Sequence, residues 1–164
     1  EVACGNNHSL VLEALRHGDA SSLRESRLWS FGLNAGGQLG HRRPAEEPET
    51  SAGGEAFLPG EVVFPDIMGS RVVVQRVCCG ADHTLVIADF IGQNGAATGV
   101  AGRVFAWGIA GHGALGTRRR TNPAVPNEVW FPSDVYDEDF PSRSERVAVI
   151  QQVAAGTKHS LALG

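Results

Sequence analysis

Val77-Cys78-Cys79-Gly80-Ala81-Asp82-His83-Thr84-Leu85-Val86-Ile87 decides the fold, because the chain contains this stretch three times. The same order of side chains stands at Val2-Ala3-Cys4-Gly5-Asn6-Asn7-His8-Ser9-Leu10-Val11-Leu12 and at Val153-Ala154-Ala155-Gly156-Thr157-Lys158-His159-Ser160-Leu161-Ala162-Leu163. The glycines fall 75 and 76 residues apart. Self-similarity at a nearly fixed period marks an array of supersecondary units. Two more elements recur between the copies. Leu28-Trp29-Ser30-Phe31-Gly32, with the turn Gly37-Gln38-Leu39-Gly40, returns 76 residues later as Val104-Phe105-Ala106-Trp107-Gly108 with Gly113-Ala114-Leu115-Gly116. Leu58-Pro59-Gly60-Glu61-Val62-Val63-Phe64-Pro65 returns 67 residues later as Val125-Pro126-Asn127-Glu128-Val129-Trp130-Phe131-Pro132.

Each element is short, rich in β-branched or aromatic residues, and bounded by Gly or Pro, which is the signature of a strand. The reading is strand A at about 72 to 79, B at 84 to 89, C at 103 to 108 and D at about 125 to 131. Short Gly-bearing links favour antiparallel neighbours, since a parallel pair needs a crossover of roughly a dozen residues. Four such strands per repeat make one propeller blade. The expected fold is all-β, with four-stranded antiparallel blades forming one segment over residues 1–164. Its units are about 1–12 (the tail of a unit), 27–88 and 103–163.

Composition agrees and excludes several alternatives. A chain of 164 residues with 42% hydrophobic and 20% charged side chains is globular rather than disordered, and can bury about 70% of its unfolded surface in one core. Its 21 Gly, about twice the usual ~7%, argue for turns and against a helical bundle. A net charge of −4 is the wrong sign for a dedicated nucleic-acid binder. Three Cys without a Cys-x-x-Cys pair suggest neither a disulfide framework nor a zinc knuckle. No apolar run reaches the ~20 residues of a membrane span, and Glu1-Val2-Ala3-Cys4-Gly5 lacks a signal peptide's pattern.

Candidate sites are read against this repeat. His8, His83 and His159 occupy one equivalent position in successive units, so they sit apart in space and form no metal site, which needs convergent ligands. The expectation is structural: ring nitrogens satisfying backbone groups at each blade corner, alongside the turn glycines Gly5, Gly32, Gly40, Gly80, Gly108, Gly116 and Gly156. Cys4, Cys78 and Cys79 align with alanines and read as small core residues. Trp29, Trp107 and Trp130 lie on strands C and D, where core or inter-blade packing is expected. Gly111-x-Gly113-x-x-Gly116 matches a dinucleotide fingerprint, but the following Thr117-Arg118-Arg119-Arg120-Thr121-Asn122-Pro123 cannot open the required helix. No cofactor is expected.

In a meander, A-to-B and C-to-D links share one face, here termed the motif face, and B-to-C and D-to-A links share the other. The long B-to-C links at 15–26 and 91–102 therefore lie opposite the motif face. The insertions near 43–57 and 132–146 fall on opposite faces, where binding loops often sit. Arg42 and Arg43 align with Arg118 and Arg119, with Arg120 beside them, giving adjacent blades arginines on the motif face. Such a patch suits bidentate contacts to phosphate or carboxylate groups.

The pattern resembles the regulator-of-chromosome-condensation repeat. That unit carries a hydrophobic-Trp-Gly strand, a Gly-Gln-Leu-Gly turn, a Pro-bearing strand and a small-small-Gly-x-x-His-Ser/Thr-Leu segment. The resemblance implies a seven-unit ring, of which this chain supplies little more than two units. The remaining blades would come from the same or another chain. It also implies a protein partner. The family's founding member is a chromatin-bound exchange factor for the small GTPase Ran, in which an acidic residue just before a repeat His matters for nucleotide release. Asp82 occupies that position here, and Asn7 and Lys158 occupy it in the other copies. That factor's β-wedge is missing from these units, because Phe31 to Gly40 and Trp107 to Gly116 have ordinary length. The expectation is a protein-interaction scaffold rather than an enzyme, in cytoplasm or nucleus. The alternatives are guanine-nucleotide exchange on a Ran-like small GTPase, and binding of chromatin or another acidic partner through the arginine face.

Overall fold

Runs of β-branched and aromatic residues between turn glycines become strands throughout. The computed structural model describes residues 1–15, 25–41, 54–66, 69–92, 95, 98, 101–118, 120–131 and 149–164. The first sheet holds β1 (Val2–Cys4), β2 (His8–Leu15), β3 (Glu25–Leu33) and β4 (Glu55–Glu61). The second holds β5 (Arg71–Cys79), β6 (His83–Ile91), β7 (Arg103–Gly108) and β8 (Asn127–Glu128), and β9 (Gln152–Ala155) with β10 (Ser160–Leu163) forms the third. Both four-stranded sheets follow chain order, with every neighbour antiparallel. The repeat is exact in register: His8 opposes Gly32 and Ser9 opposes Phe31, just as His83 opposes Gly108 and Thr84 opposes Trp107.

The sheets stack as blades, and the sequence of β6 shows why. Its His-Thr-Leu-Val-Ile-Ala-Asp-Phe-Ile is an almost unbroken apolar run, and six of its first six residues are buried. Val86, Ala88 and Phe90 pack against Leu10, Leu28 and Val62 of the first sheet, together with Phe105 and Trp107. Leu85 and Ile87 point the other way, into a second core with Val104, Leu115, Val129 and Ile150 that also packs Val153. Strands buried on both faces read as continuous rather than alternating hydrophobic runs. Phe64 stands edge-on to Phe105 and Trp107, with ring centroids 5.3 and 6.2 Å away, closing the first junction at its rim.

Polar groups also cross this junction. The β5 ladder breaks between Val74 and Arg76, leaving the Val74 N–H free of β6. It donates instead to Ser26 Oγ of β3 at 2.7 Å. Beside it, the Arg71 guanidinium donates to the Glu25 carboxylate at 2.6 Å. The bulge therefore docks one sheet on the next rather than merely bending the strand.

Three expectations need adjustment. Strand D is shorter in the second blade than the expected 125 to 131, since pairing stops at Asn127–Glu128. Pro123 and Pro126 have no N–H to give to a ladder, although Val129 N–H still reaches the Val104 carbonyl at 2.8 Å. In the first blade strand D starts earlier, at Glu55, and tolerates Pro59 because it is an edge strand with a register shift opposite Ser30 to Gly32. Trp130 is not core: it is 68% exposed, two residues past the last strand pairing on the outermost strand, where no neighbour covers it among the described residues. The insertions near 43–57 and 132–146 lie outside the described residues except for the start of β4, and so does most of the 15–26 link.

Gly40 shows how closely the blades approach. It has a φ of +74°, and a Cβ there would stand 2.5 Å from Trp107 Nε1 of the next blade. Gly113 has a similar φ, +73°, with nothing within 4 Å of its would-be Cβ. Gly113→Ala is expected to cost only the left-handed backbone penalty, about 1 kcal/mol. Gly40→Ala should cost about 2 to 4 kcal/mol, because an overpacking term is added. Urea denaturation of the two variants checks the difference, and equal losses would show that the Trp107 contact is not tight.

Candidate functional site

Of the equivalent histidines, His8 and His83 lie at the blade junctions, and each reaches across to the next repeat. His8 Nε2 is 3.2 Å from Thr84 Oγ1, and His83 Nε2 is 3.0 Å from Ser160 Oγ. The hydroxyls continue the link into the turn between strands C and D. Thr84 Oγ1 donates to the Gln38 carbonyl at 3.1 Å, and Ser160 Oγ donates to the Ala114 carbonyl at 2.6 Å. In the first junction Trp107 Nε1 donates to the same Gln38 carbonyl at 3.0 Å. The His8 and His83 rings each partner a hydroxyl of the following blade, and the His83 ring also bonds to the backbone of His159. His8 and His83 are buried, whereas His159, with no further sheet beside it among the described residues, is exposed.

The turn glycines make room for these rings. A Cβ on Gly5 would lie 2.1 Å from the His8 ring and 2.7 Å from the Gly80 carbonyl oxygen, and one on Gly80 would lie 2.0 Å from the His83 ring and 2.6 Å from the Gly156 oxygen. Gly32 and Gly108 have φ of +107° and +100° and sit against the backbone of residues 7 and 82. Among the described residues no group of three His, Cys, Asp or Glu side chains is placed to hold a metal ion.

Asp82 sits at the motif-face corner, half-buried, where its backbone carbonyl accepts the Ile109 N–H at 2.9 Å. The Asn7 carbonyl does the same for Leu33 at 2.7 Å. The backbone at this position is structural, while the side chain differs between Asn7, Asp82 and Lys158. Arg118 and Arg120 are exposed on the same face, and Arg118 holds a left-handed φ of 57°. Arg42, Arg43 and Arg119 lie outside the described residues. The Gly111-x-Gly113 segment forms a single 3-10 turn, Gly111–Gly113, and no α-helix follows it among the described residues.

The cysteines divide. Cys78 packs on the second core and Cys79 on the first, as small apolar residues. Burial pushes the Cys78 thiol up to about 11 and the Cys79 thiol up to about 12, so both are protonated at neutral pH. Cys4 is exposed, contrary to its reading as core, because it lies on the face of the first sheet away from the second.

Two copies of one blade thus share strand order, register, corner geometry and interlock. The regulator of chromosome condensation (RCC1) repeat matches residues 25–87 and 101–163. The chain belongs to the RCC1 repeat family. Among relatives, it is 28% identical over 148 residues to the probable E3 ubiquitin-protein ligase HERC4 of Mus musculus, covering 85% of this chain and 11% of that one. It is 29% identical over 174 residues to Protein RCC2 of Homo sapiens, covering 99% of this chain and 27% of that one. A crystal structure of human WBSCR16 superposes with a TM-score of 0.58 at 18% identity, covering 99% of this chain and 30% of that one, a likeness of fold. The chain spans less than a third of each of these proteins.

Among the RCC1 repeat's own features, sequence reasoning missed that the hydroxyl after one repeat's His is the partner of the preceding repeat's His. The signal was present, since Ser9, Thr84 and Ser160 keep a hydroxyl at one position in all three copies. Glu13 was also missed. It accepts Trp29 Nε1 at 3.0 Å on the outer face of the first blade, where the equivalent residue of the second blade is the fully buried Ala88.

The interlock generates two predictions. Thr84→Val removes a buried hydroxyl that faces both His8 and the Gln38 carbonyl, and should cost about 1 to 3 kcal/mol in urea denaturation. Burial lowers the pKa of both His8 and His83 below 6.5, outweighing the opposing pull of Asp82. An unfolded chain then binds more protons than the folded one as the pH drops. Stability from these rings is complete above about pH 6.5 and is lost as pH falls through their lower folded values. Thermal midpoints measured from pH 7.5 to 5 should decline before the carboxylates titrate, and His83→Gln should flatten that decline. A midpoint constant to pH 5 would contradict neutral, buried rings.

Proposed function

We propose that the chain is a protein-interaction scaffold made of RCC1-type blades, recognising its partner on the motif face. The observation that carries this reading is the corner position of residues 7, 82 and 158. There the backbone serves the fold identically in two blades, while the side chain is neutral, acidic or basic from blade to blade. Structural demands are met without these side chains, which leaves them free for recognition. The histidines, by contrast, are consumed by the blade junctions. Remaining blades from the same or another chain would complete the ring, and cytoplasm or nucleus is the compartment proposed. No helix among the described residues is long and apolar enough to cross a membrane.

A second reading is favoured by Asp82, which holds the acidic position the founding member of the family uses. On that reading the protein promotes guanine-nucleotide release from a Ran-like small GTPase. The exposed Arg118 and Arg120 support a third, binding of chromatin or another acidic partner, in which affinity falls steeply with salt.

Photo-crosslinking residues placed at positions 82 and 118, with a control at Asp66 on the opposite face, test the scaffold reading. Discrete protein adducts from 82 and 118 but not from 66 are expected, and equal labelling of both faces would overturn it. For exchange, release of a fluorescent guanine nucleotide from the GTPase should accelerate with the protein and slow with Asp82→Ala. No acceleration would eliminate that alternative.

A further inference from the structure

Two hydroxyls in this chain follow an arginine by three residues, in Arg27-x-x-Ser30 and Arg118-x-x-Thr121, and the fold treats them oppositely. Ser30 is fully buried on β3 and donates its hydroxyl to the Leu39 carbonyl at 2.7 Å. Thr121 is exposed in the irregular link between β7 and β8, and its hydroxyl has no hydrogen-bond partner among the described residues. Of the two, only Thr121 also has an arginine two residues before it, so that the whole run Arg118-Arg119-Arg120 leads up to the hydroxyl. The repeat does not ask for this hydroxyl. At the offset of 76 that pairs Arg42 and Arg43 with Arg118 and Arg119, the counterpart of Thr121 is Ala45.

The backbone around Thr121 is pinned on one side and unbonded on the other. Asn122 Oδ1 accepts the Ala110 N–H at 2.9 Å, and the Pro123 carbonyl accepts the Gly108 N–H at 3.0 Å. A Cβ on Gly37 would lie 2.8 Å from Ala124 Cα, so the first blade braces the far side of this anchor. Upstream, Thr117, Arg118 and Arg120 make no hydrogen bond among the described residues, as Thr121 makes none. The arginine side of the hydroxyl can therefore be drawn out straight without breaking a bond of the fold. An enzyme that takes its substrate as an extended strand needs that freedom next to the acceptor.

We propose that Thr121 is a phosphorylation site for a protein kinase with an acidic substrate groove, which reads the arginines two and three residues before the acceptor. Carboxylates in such a groove hold guanidinium groups bidentately. Charge patterns beside the acceptor are a usual means by which kinases tell substrates apart. In the transfer, Thr121 Oγ1 bonds to the γ-phosphorus of ATP, the bond from that phosphorus to the bridging oxygen breaks, and ADP leaves. The hydroxyl proton passes to the kinase's catalytic base, and nothing is oxidised or reduced. The phosphate brings about −1.5 to −2 charges at neutral pH to a link, residues 117–123, that holds three arginines and no acid. Its charge falls from +3 to about +1. What this does to an acidic partner rests on the arginine reading of the motif face, whereas the modification itself does not.

The test incubates the folded 164-residue chain with magnesium, ATP and the catalytic subunit of the cyclic-AMP-dependent protein kinase, an arginine-reading enzyme, and maps phosphate by mass spectrometry. Phosphate on Thr121 and none on Ser30 is expected, with Thr121→Ala abolishing incorporation. Arg118→Asn, chosen because Asn tolerates the left-handed φ of 57° at that position, should slow incorporation about tenfold or more. An unmodified Thr121 overturns the proposal. So does an equal rate in Arg118→Asn, since the arginines are then not what is read. Phosphate on Ser30 as readily as on Thr121 also overturns it, because the unfolded chain is then the substrate. Failure of the arginine reading looks different: partner binding ignores salt while Thr121 is still phosphorylated.

Discussion

A four-stranded blade with apolar side chains on both faces has no stable existence alone, and that constraint organises everything else in this chain. β6 is buried on both sides because a sheet lies on each, and its Thr84, Val86 and Ala88 serve one neighbour while Leu85 and Ile87 serve the other. Burial of apolar area supplies the larger share of the stabilisation, at about 25 cal/mol per Å². It does not by itself fix how one blade sits on the next, because hydrophobic contact is non-directional. Direction comes from the links His8 to Thr84 to Gln38 and His83 to Ser160 to Ala114, which hold only when corner, strand and turn are in step. A slip of one residue in β6 would turn Thr84 away from His8 and carry Leu85 into its place.

The same constraint separates structural from functional chemistry. At the corner, the carbonyls of Asn7 and Asp82 hold the chain leaving strand C, so their side chains are relieved of structural work. The turn glycines are tied to the rings they accommodate, and Gly5 and Gly80 leave no space for any side chain. Variation can therefore accumulate on the motif face without disturbing the junctions beneath it. That separation lets one repeat serve proteins whose longer chains differ, as the probable E3 ubiquitin-protein ligase HERC4 and Protein RCC2 do.

The fold was legible because a repeated pattern states the same local rule more than once. Gly-x-x-His-Ser/Thr-Leu, hydrophobic-Trp-Gly and Gly-x-Leu-Gly each mark a strand boundary, and their order gives the sheet order β5-β6-β7-β8. What the repeat did not disclose was contact between repeats. The hydroxyl partners of His8 and His83 lie 76 and 77 residues away in the next unit, and periodicity within a unit says nothing about that distance. The same blindness explains Cys4 and Trp130. Alignment with Ala155 made Cys4 look internal, and strand membership made Trp130 look packed, but exposure depends on whether a neighbouring sheet covers that face. The arginine face was legible only as sequence: Arg118 and Arg120 are exposed, while Arg42 and Arg43 fall outside the described residues.

The two outer faces of the array also differ in kind. The face of the third sheet turned away from the second is apolar, with Leu161 and Leu163 exposed. The opposite face, on the first sheet, carries Glu13 at the position that Ala88 fills inside the first junction, with Arg27 directly across the strand pair and Trp29 Nε1 donating to its carboxylate. Covering Glu13 as Ala88 is covered would strip a carboxylate of water with one indole bond in return, and a buried, incompletely paired charge costs several kcal/mol. A blade laid on that face must therefore bring a hydrogen-bond donor or a cation to Glu13, or leave the outer end of the junction open to solvent. The first junction requires neither, since Ala88 meets only apolar neighbours there. Blades of one repeat are thus alike in backbone and unlike in the faces they present, so the order in which blades stack is written in single substitutions such as Glu for Ala rather than in the fold.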